Sequence, residues 1–182
     1  MRFLPRLVFA LVAPFVLSAP LAAQEGGGTV LTVSGDIGKT NRGPFDAFHD
    51  GFLKYHEKTF DKAFEFDRAA LAALPQQSIT ANAEAWPAAV KLDGPKLADV
   101  LAAAGAEGKP VTVYALDGYG AAMTVDQIAA HDWVLALNAD GKPLGIGGRG
   151  PLWLAYDTGS GRATTDEEGA WVWSVFHIEA GE

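Results

Sequence analysis

The sequence predicts an α+β domain: a mixed sheet, or a collapsed barrel, carrying several short helices. Three observations predict it. Short runs with the period of two of half-buried strands recur along the chain. Between them lie short stretches with helical spacing of apolar residues and recognisable caps. The two kinds interleave without the regular rhythm of a parallel βαβ sheet, and the 182 residues contain no internal repeat.

The first 23 residues read as an export signal and not as part of the fold. Arg2 and Arg6 precede an apolar run over 7–23 that carries Pro14 and Pro20 and ends in Leu21-Ala22-Ala23, a cleavage site ahead of Gln24. Its 17 residues are fewer than the roughly 20 a spanning helix needs, and no later stretch is long or apolar enough. The expectation is an exported protein, soluble after cleavage, with residues 24–182 forming one domain. Losing Arg2 and Arg6 takes the formal net charge from -8 to -10. So acidic a chain is expected to repel nucleic acid and anionic membranes. It has no cysteine, which excludes disulfides, thiolate metal sites and cysteine nucleophiles.

Gly26-Gly27-Gly28 leads into a strand over 29–37, with Leu31 and Val33 alternating. Residues 41–63 form an aromatic-rich insert in which Phe45, Phe48, Phe52 and Tyr55 fall at helical spacing and predict a short helix with one apolar face. A brief strand over 64–66 runs into Asp67, the expected N-cap of a helix that turns Leu71 and Leu74 inward and stops at Pro75. In SITANAEAWP, residues 78–87, Ile79, Ala81 and Ala83 alternate with polar residues until Trp86-Pro87 breaks the strand. Gly94-Pro95 is expected to open a helix with a Leu97, Val100, Leu101 and Ala104 stripe, ended by Gly105. A strand over 111–115 turns at Asp117-Gly118 into a return strand over 121–123. Thr124 and Gln127 make a capping box, and a strand over 133–137 turns at Asp140-Gly141. A glycine-rich loop over 145–150 precedes a strand over 152–156. Residues 158–169 read as a polar, mobile loop, and a single last strand is expected over 171–179.

Five tryptophans are a heavy load for this length. On the last strand Val172, Phe176 and Ile178 would share one face; Trp171, Trp173, Val175 and His177 would share the other. Two indoles two residues apart form either an aromatic wall for a ligand or a second packed layer. Arg149, in GGRGP beside Gly150, is one of four basic residues after Gly105, and its loop lets backbone and guanidinium approach a ligand or merely makes a surface turn. Asp117 either bonds its own turn or faces a ligand, with Tyr119 beside it. Trp86 either caps a core or offers a stacking surface. The four histidines show no metal-ligand spacing, and no G-x-S-x-G, P-loop or dinucleotide fingerprint occurs.

The order of blocks LTVSGDI, FEFDRAALAALPQQSITANAE, KLDGPKLADVLAAAGA, VTVYALDGYGAAMTVDQI, DWVLALNADGKPLGIGGRGPLWLAY and WVWSVFHIE resembles the molybdopterin-binding domain of the sulfite-oxidase family. The likeness covers nearly all of residues 24–182 except 41–63 and 158–169. In the enzymes of that family the strand after the ALP block leads to a cysteine that binds molybdenum. Here that position falls within 83–86, at Ala85, so a molybdenum-cofactor oxidoreductase becomes the alternative reading. The resemblance is instead to small exported pterin-binding members of the fold. It implies a non-catalytic sensor with no molybdenum, relaying ligand state to the periplasmic part of a membrane signalling protein such as a cyclic di-GMP regulator. A third reading is an interaction module with a vestigial cleft. Few cations and many rings suit a reduced pterin without phosphate. Trp86, Tyr119, Trp171 and Trp173 would supply rings, and Arg149 and Gly150 the loop contact. Glu84, Asp117 or Asp157 would accept from the amino-pyrimidine edge.

Overall fold

The structure, a computed structural model, describes residues 27–181; the expected export segment, residues 1–23, lies outside them. In chain order the elements are β1 (Thr29–Gly35), α1 (Gly51–Tyr55), β2 (Phe64–Asp67), α2 (Arg68–Ala73), β3 (Gln76–Ala81), β4 (Val90–Pro95), α3 (Leu97–Ala104), β5 (Val111–Ala115), β6 (Gly120–Met123) and α4 (Val125–Ala130). They continue with β7 (Trp133–Ala136), β8 (Asn138–Ala139), β9 (Lys142–Pro143), β10 (Trp153–Tyr156), α5 (Thr165–Glu168), β11 (Val172–Trp173) and β12 (Val175–Ala180). They form three sheets, in the orders β2-β1-β12-β5-β6, β11-β10-β7 and β3-β4-β8-β9. The class is α+β as expected. Of the two arrangements expected, the mixed sheet is the one found, β12 pairing parallel with β1 and antiparallel with β5, and no closed barrel forms among the described residues.

The local signals act as their chemistry dictates. Asp67 caps α2, its Oδ1 accepting from Ala70 N at 2.6 Å. Thr124 and Gln127 close both bonds of the capping box on α4. Gly105 ends α3 in the left-handed region at φ 71°, where a side chain would be strained. Leu97, Val100, Leu101 and Ala104 are buried along α3 as the stripe requires. Gly94 and Pro95 do not open that helix, however; they finish β4, and α3 begins after Lys96.

Gly94 has a different task. A Cβ there would lie 2.2 Å from Leu135 O and 2.7 Å from Ala136 Cα, so β4 passes against the backbone of β7 with no room for a methyl group. Gly94→Ala is expected to lower stability by about 1–3 kcal/mol through overpacking, read as a lower denaturant midpoint with an unchanged slope.

Two expectations fail, the first because periodicity does not guarantee a partner surface. The insert yields only the five residues of α1, and its buried side chain is Leu53. Phe48 and Tyr55 are 87 % and 80 % exposed, so the expected apolar face is not buried. The last strand is likewise two strands. Ser174, at φ 57°, separates β11 from β12 and resets which side each residue faces.

That reset places His177 in the core, away from the tryptophans. β12 lies parallel to β1 at the centre of the large sheet, with Thr32 opposite His177. His177 is 1 % exposed. Its Nε2 and the Ser34 hydroxyl are 2.8 Å apart, and its ring stacks on Tyr114 at 5.7 Å. The Lys58 ammonium stands 3.5 Å from the other aromatic centre, that of Tyr114. Burial first, and the Lys58 charge second, push the imidazole down to about 3.

Candidate ligand-binding site

Four of the five tryptophans meet at one cleft of about 340 Å³. Trp153 on β10 and Trp173 on β11 are directly opposed across the strand pair, so both side chains leave the same face of the small sheet. Trp86 comes from the segment after β3, where Trp86 N bonds Ala83 O at 3.0 Å and a parallel bridge ties Ala83 to Ala163. Its ring packs 5.2 Å from Trp153 and 5.4 Å, nearly edge-on, from Trp171. Trp86, Trp153 and Trp171 are buried and form the floor; Trp173, 44 % exposed, stands up as a wall.

Ser174 holds the rim together. Its N–H donates to Arg149 O at 2.8 Å and its carbonyl accepts from Leu116 N at 3.0 Å. The kink thus fastens the glycine-rich loop and the end of β5 to the base of Trp173. Tyr119, in the β5–β6 turn, reaches across the rim, its hydroxyl donating to Gly169 O at 2.5 Å. Arg149 lies over the floor, its Cζ 4.6 Å from the Trp153 ring and 5.2 Å from that of Trp86. Such cation–π contacts contribute about 0.5–2 kcal/mol each. The Arg149 side chain has no ion-pair partner among the described residues.

The opposite wall is α5, a short helical turn inside the stretch expected to be a mobile loop. Thr164 and Glu167 close a capping box there, and Thr165, Glu168 and Gly169 line the cleft. Trp86 Nε1 donates to Glu168 Oε1 at 2.5 Å. The indole nitrogens of Trp153 and Trp171 are buried with no hydrogen-bond partner among the described residues. A donor left so costs about 1–3 kcal/mol, a strain on the fold that the rest of the core offsets.

The structure therefore brings together Trp86, Tyr119, Arg149, Trp171 and Trp173. It does not bring Glu84, Asp117 or Gly150 to the lining. Asp117 Oδ1 accepts from Tyr119 N at 3.0 Å, bonding its own turn. Asp157 Oδ1 accepts from Thr80 N and Gly159 N. Glu84 is exposed, and its backbone carbonyl takes Arg162 Nη1 at 3.3 Å. Gly150 is buried where a Cβ would lie 2.6 Å from Gly145 N, so it lets the loop close on itself. The carboxylate at the cleft is Glu168, whose partner Trp86 lies 82 residues away. Trp153 was equally unmarked; its place opposite Trp173 was the only available signal, and that needs the strand register.

An adjoining cleft of about 370 Å³ shares Trp86, Arg149 and Trp153 and is also lined by Ala85, the residue to which the resemblance alone assigns the enzymes' cysteine position. Among the described residues Arg149 is the only cation lining either cleft. Among the described residues no group of three or more His, Asp or Glu could hold a metal ion. A methyl group at Ala85 and one guanidinium do not fit molybdenum bound through a phosphorylated molybdopterin.

No protein-family model matches the chain, and no curated protein matches it significantly. Solved structures do. The fold is similar to that of the sulfane dehydrogenase SoxCD from Paracoccus pantotrophus, with a TM-score of 0.57 and 19 % identity over 83 % of this chain. The match spans 37 % of the SoxCD chain. The likeness is one of fold alone, an α+β arrangement shared with part of the SoxCD chain.

Proposed function

We propose that the protein is an exported pterin-binding protein without chemistry of its own, the cysteine-less, non-catalytic branch of this fold. What carries the reading is the convergence of four indoles, one phenol and one unpaired guanidinium on a single cleft. Flat heterocycles stack on such rings for about 1–3 kcal/mol per ring contact, by analogy with nucleic-acid bases. One cation and no thiolate favour a pterin that carries neither phosphate nor molybdenum. No helix among the described residues is long and apolar enough to cross a membrane. The ligand state would pass to the periplasmic part of a membrane signalling protein such as a cyclic di-GMP regulator. The element that would move is α5, because the ligand would touch Glu168 and Gly169, whereas the insert over 41–63 does not border the cleft.

Titration of the protein with tetrahydropterin and oxidised pterin, followed by tryptophan quenching, is expected to give low-micromolar affinity or better, about -8 kcal/mol. Flat titrations against both would remove the reading. Stoichiometric molybdenum in protein purified from its native host would replace it with the oxidoreductase.

A further inference from the structure

Stacking needs no charge, yet this cleft holds two of opposite sign against one indole. Glu168 Oε1 accepts from Trp86 Nε1 at 2.5 Å, and Arg149 Cζ stands 5.2 Å from the Trp86 ring centroid. The two do not meet: no Arg149 nitrogen lies within 4.0 Å of a carboxylate among the described residues. An Arg and a carboxylate gain most from a bidentate pair. With the guanidinium by the Trp86 ring and the carboxylate at its Nε1, each keeps free hydrogen-bonding capacity. Glu168 is committed through one oxygen to the indole, and Oε2 has no partner among the described residues. One cleft thus holds a free carboxylate oxygen, an unpaired guanidinium and several rings.

Resting on the reading of this cleft as a pterin site, we propose that Glu168 is its specificity residue. It reads the 2-amino-4-oxopyrimidine edge and makes the site select pterins against 2,4-dioxopteridines. In a pterin the 2-amino group and N3–H are adjacent donors, spaced for the two oxygens of one carboxylate. The neighbouring C4 carbonyl is an acceptor, which the unpaired Arg149 guanidinium suits. A 2,4-dioxo ring keeps N3–H and the C4 carbonyl but turns the C2 substituent from donor into acceptor. It then sets a carbonyl oxygen against a carboxylate oxygen. A site built to hydrogen-bond one group rejects the isostere that cannot answer it far better than an apolar pocket rejects a change of size. Because the C4 carbonyl is common to both rings, the discrimination falls on Glu168 and not on Arg149. Flavin-type rings, also 2,4-dioxo, are excluded by the same mismatch.

The test compares pterin with lumazine, the 2,4-dioxo analogue, matched in ring oxidation state (both oxidised, then both tetrahydro), on the wild-type protein and Glu168→Gln. The expected result is a wild-type preference for pterin of about tenfold or more. It collapses or inverts in Glu168→Gln, whose amide keeps an oxygen for Trp86 and presents an N–H₂ donor to the ligand. A residue that merely holds Trp86 in place would change both affinities together and leave their ratio alone. Equal wild-type binding of the two rings, or a preference that survives Glu168→Gln, overturns the role of Glu168 and leaves the pterin site standing. Binding of neither ring by the wild type overturns both.

Discussion

Trp86→Ala is expected to cost the fold about 3–5 kcal/mol and to abolish measurable pterin binding. The indole is buried, packs on Trp153 and Trp171, carries Arg149 on its face and donates to Glu168. Its removal leaves a void beneath the cleft, frees the guanidinium from one of its two rings and releases the carboxylate on α5. Chemical denaturation reads the stability change and quenching titration the loss of binding. Because a weakened fold could lose binding for trivial reasons, Trp173→Ala is the companion. Trp173 is a wall and not part of the floor, so its loss is expected to change stability by no more than about 0.5 kcal/mol. It should still weaken pterin binding by about 1–3 kcal/mol, one stacking contact. Unchanged affinity in both variants would show that the ligand does not lie between these rings.

What the sequence made legible follows from the range of the signal. Caps and stops are local: Asp67, the Thr124–Gln127 box and Gly105 act through atoms within five residues, and each does what its position suggests. The alternation of Ile79 and Ala81 reads correctly because β3 has one buried face. The insert misleads because an apolar face is only a request for a partner, and nothing in residues 41–63 says that no surface lies opposite Phe48 and Tyr55. Ser174 misleads in the other direction. A serine at positive φ carries no mark in the sequence; the conformation is held by Arg149 O and Leu116 N, more than twenty residues away on each count. The cleft is legible in its rings and not in its carboxylate. Trp171 and Trp173 announce themselves by spacing, whereas Glu168 matters only once α5 folds against Trp86. Composition can show that a ligand site is aromatic, but only tertiary contacts choose which of the chain's acids sits beside it.

Stability is expected to fall as the pH drops from about 6.5 towards 3, and His177 is the cause. In the unfolded chain the imidazole takes its proton near pH 6.5; in the fold, burial and then Lys58 hold it down to about 3. Above pH 6.5 neither state is protonated, and His177 contributes no slope. Between the two values the unfolded state binds a proton that the folded state refuses. Each unit of falling pH then removes up to about 1.4 kcal/mol of stability, several in all, until the folded form protonates as well. The carboxylates do not confuse the upper part of this window. Asp36, Asp46 and Glu167 are held below their ordinary values by hydrogen bonds from Lys109, the His49 backbone and the Thr164 backbone. Their contribution is nearly complete above about pH 5.5 and is lost on further acidification. His177→Gln can still bond the Ser34 hydroxyl but cannot titrate, so its stability should be nearly flat from pH 6.5 to about 5.5, and fall less than that of the wild type below it. Denaturation midpoints across that range measure the difference, and parallel curves would mean that His177 takes its proton inside the fold. The slope belongs to the β1–β12 core, remote from the cleft, so it should persist unchanged in Trp173→Ala.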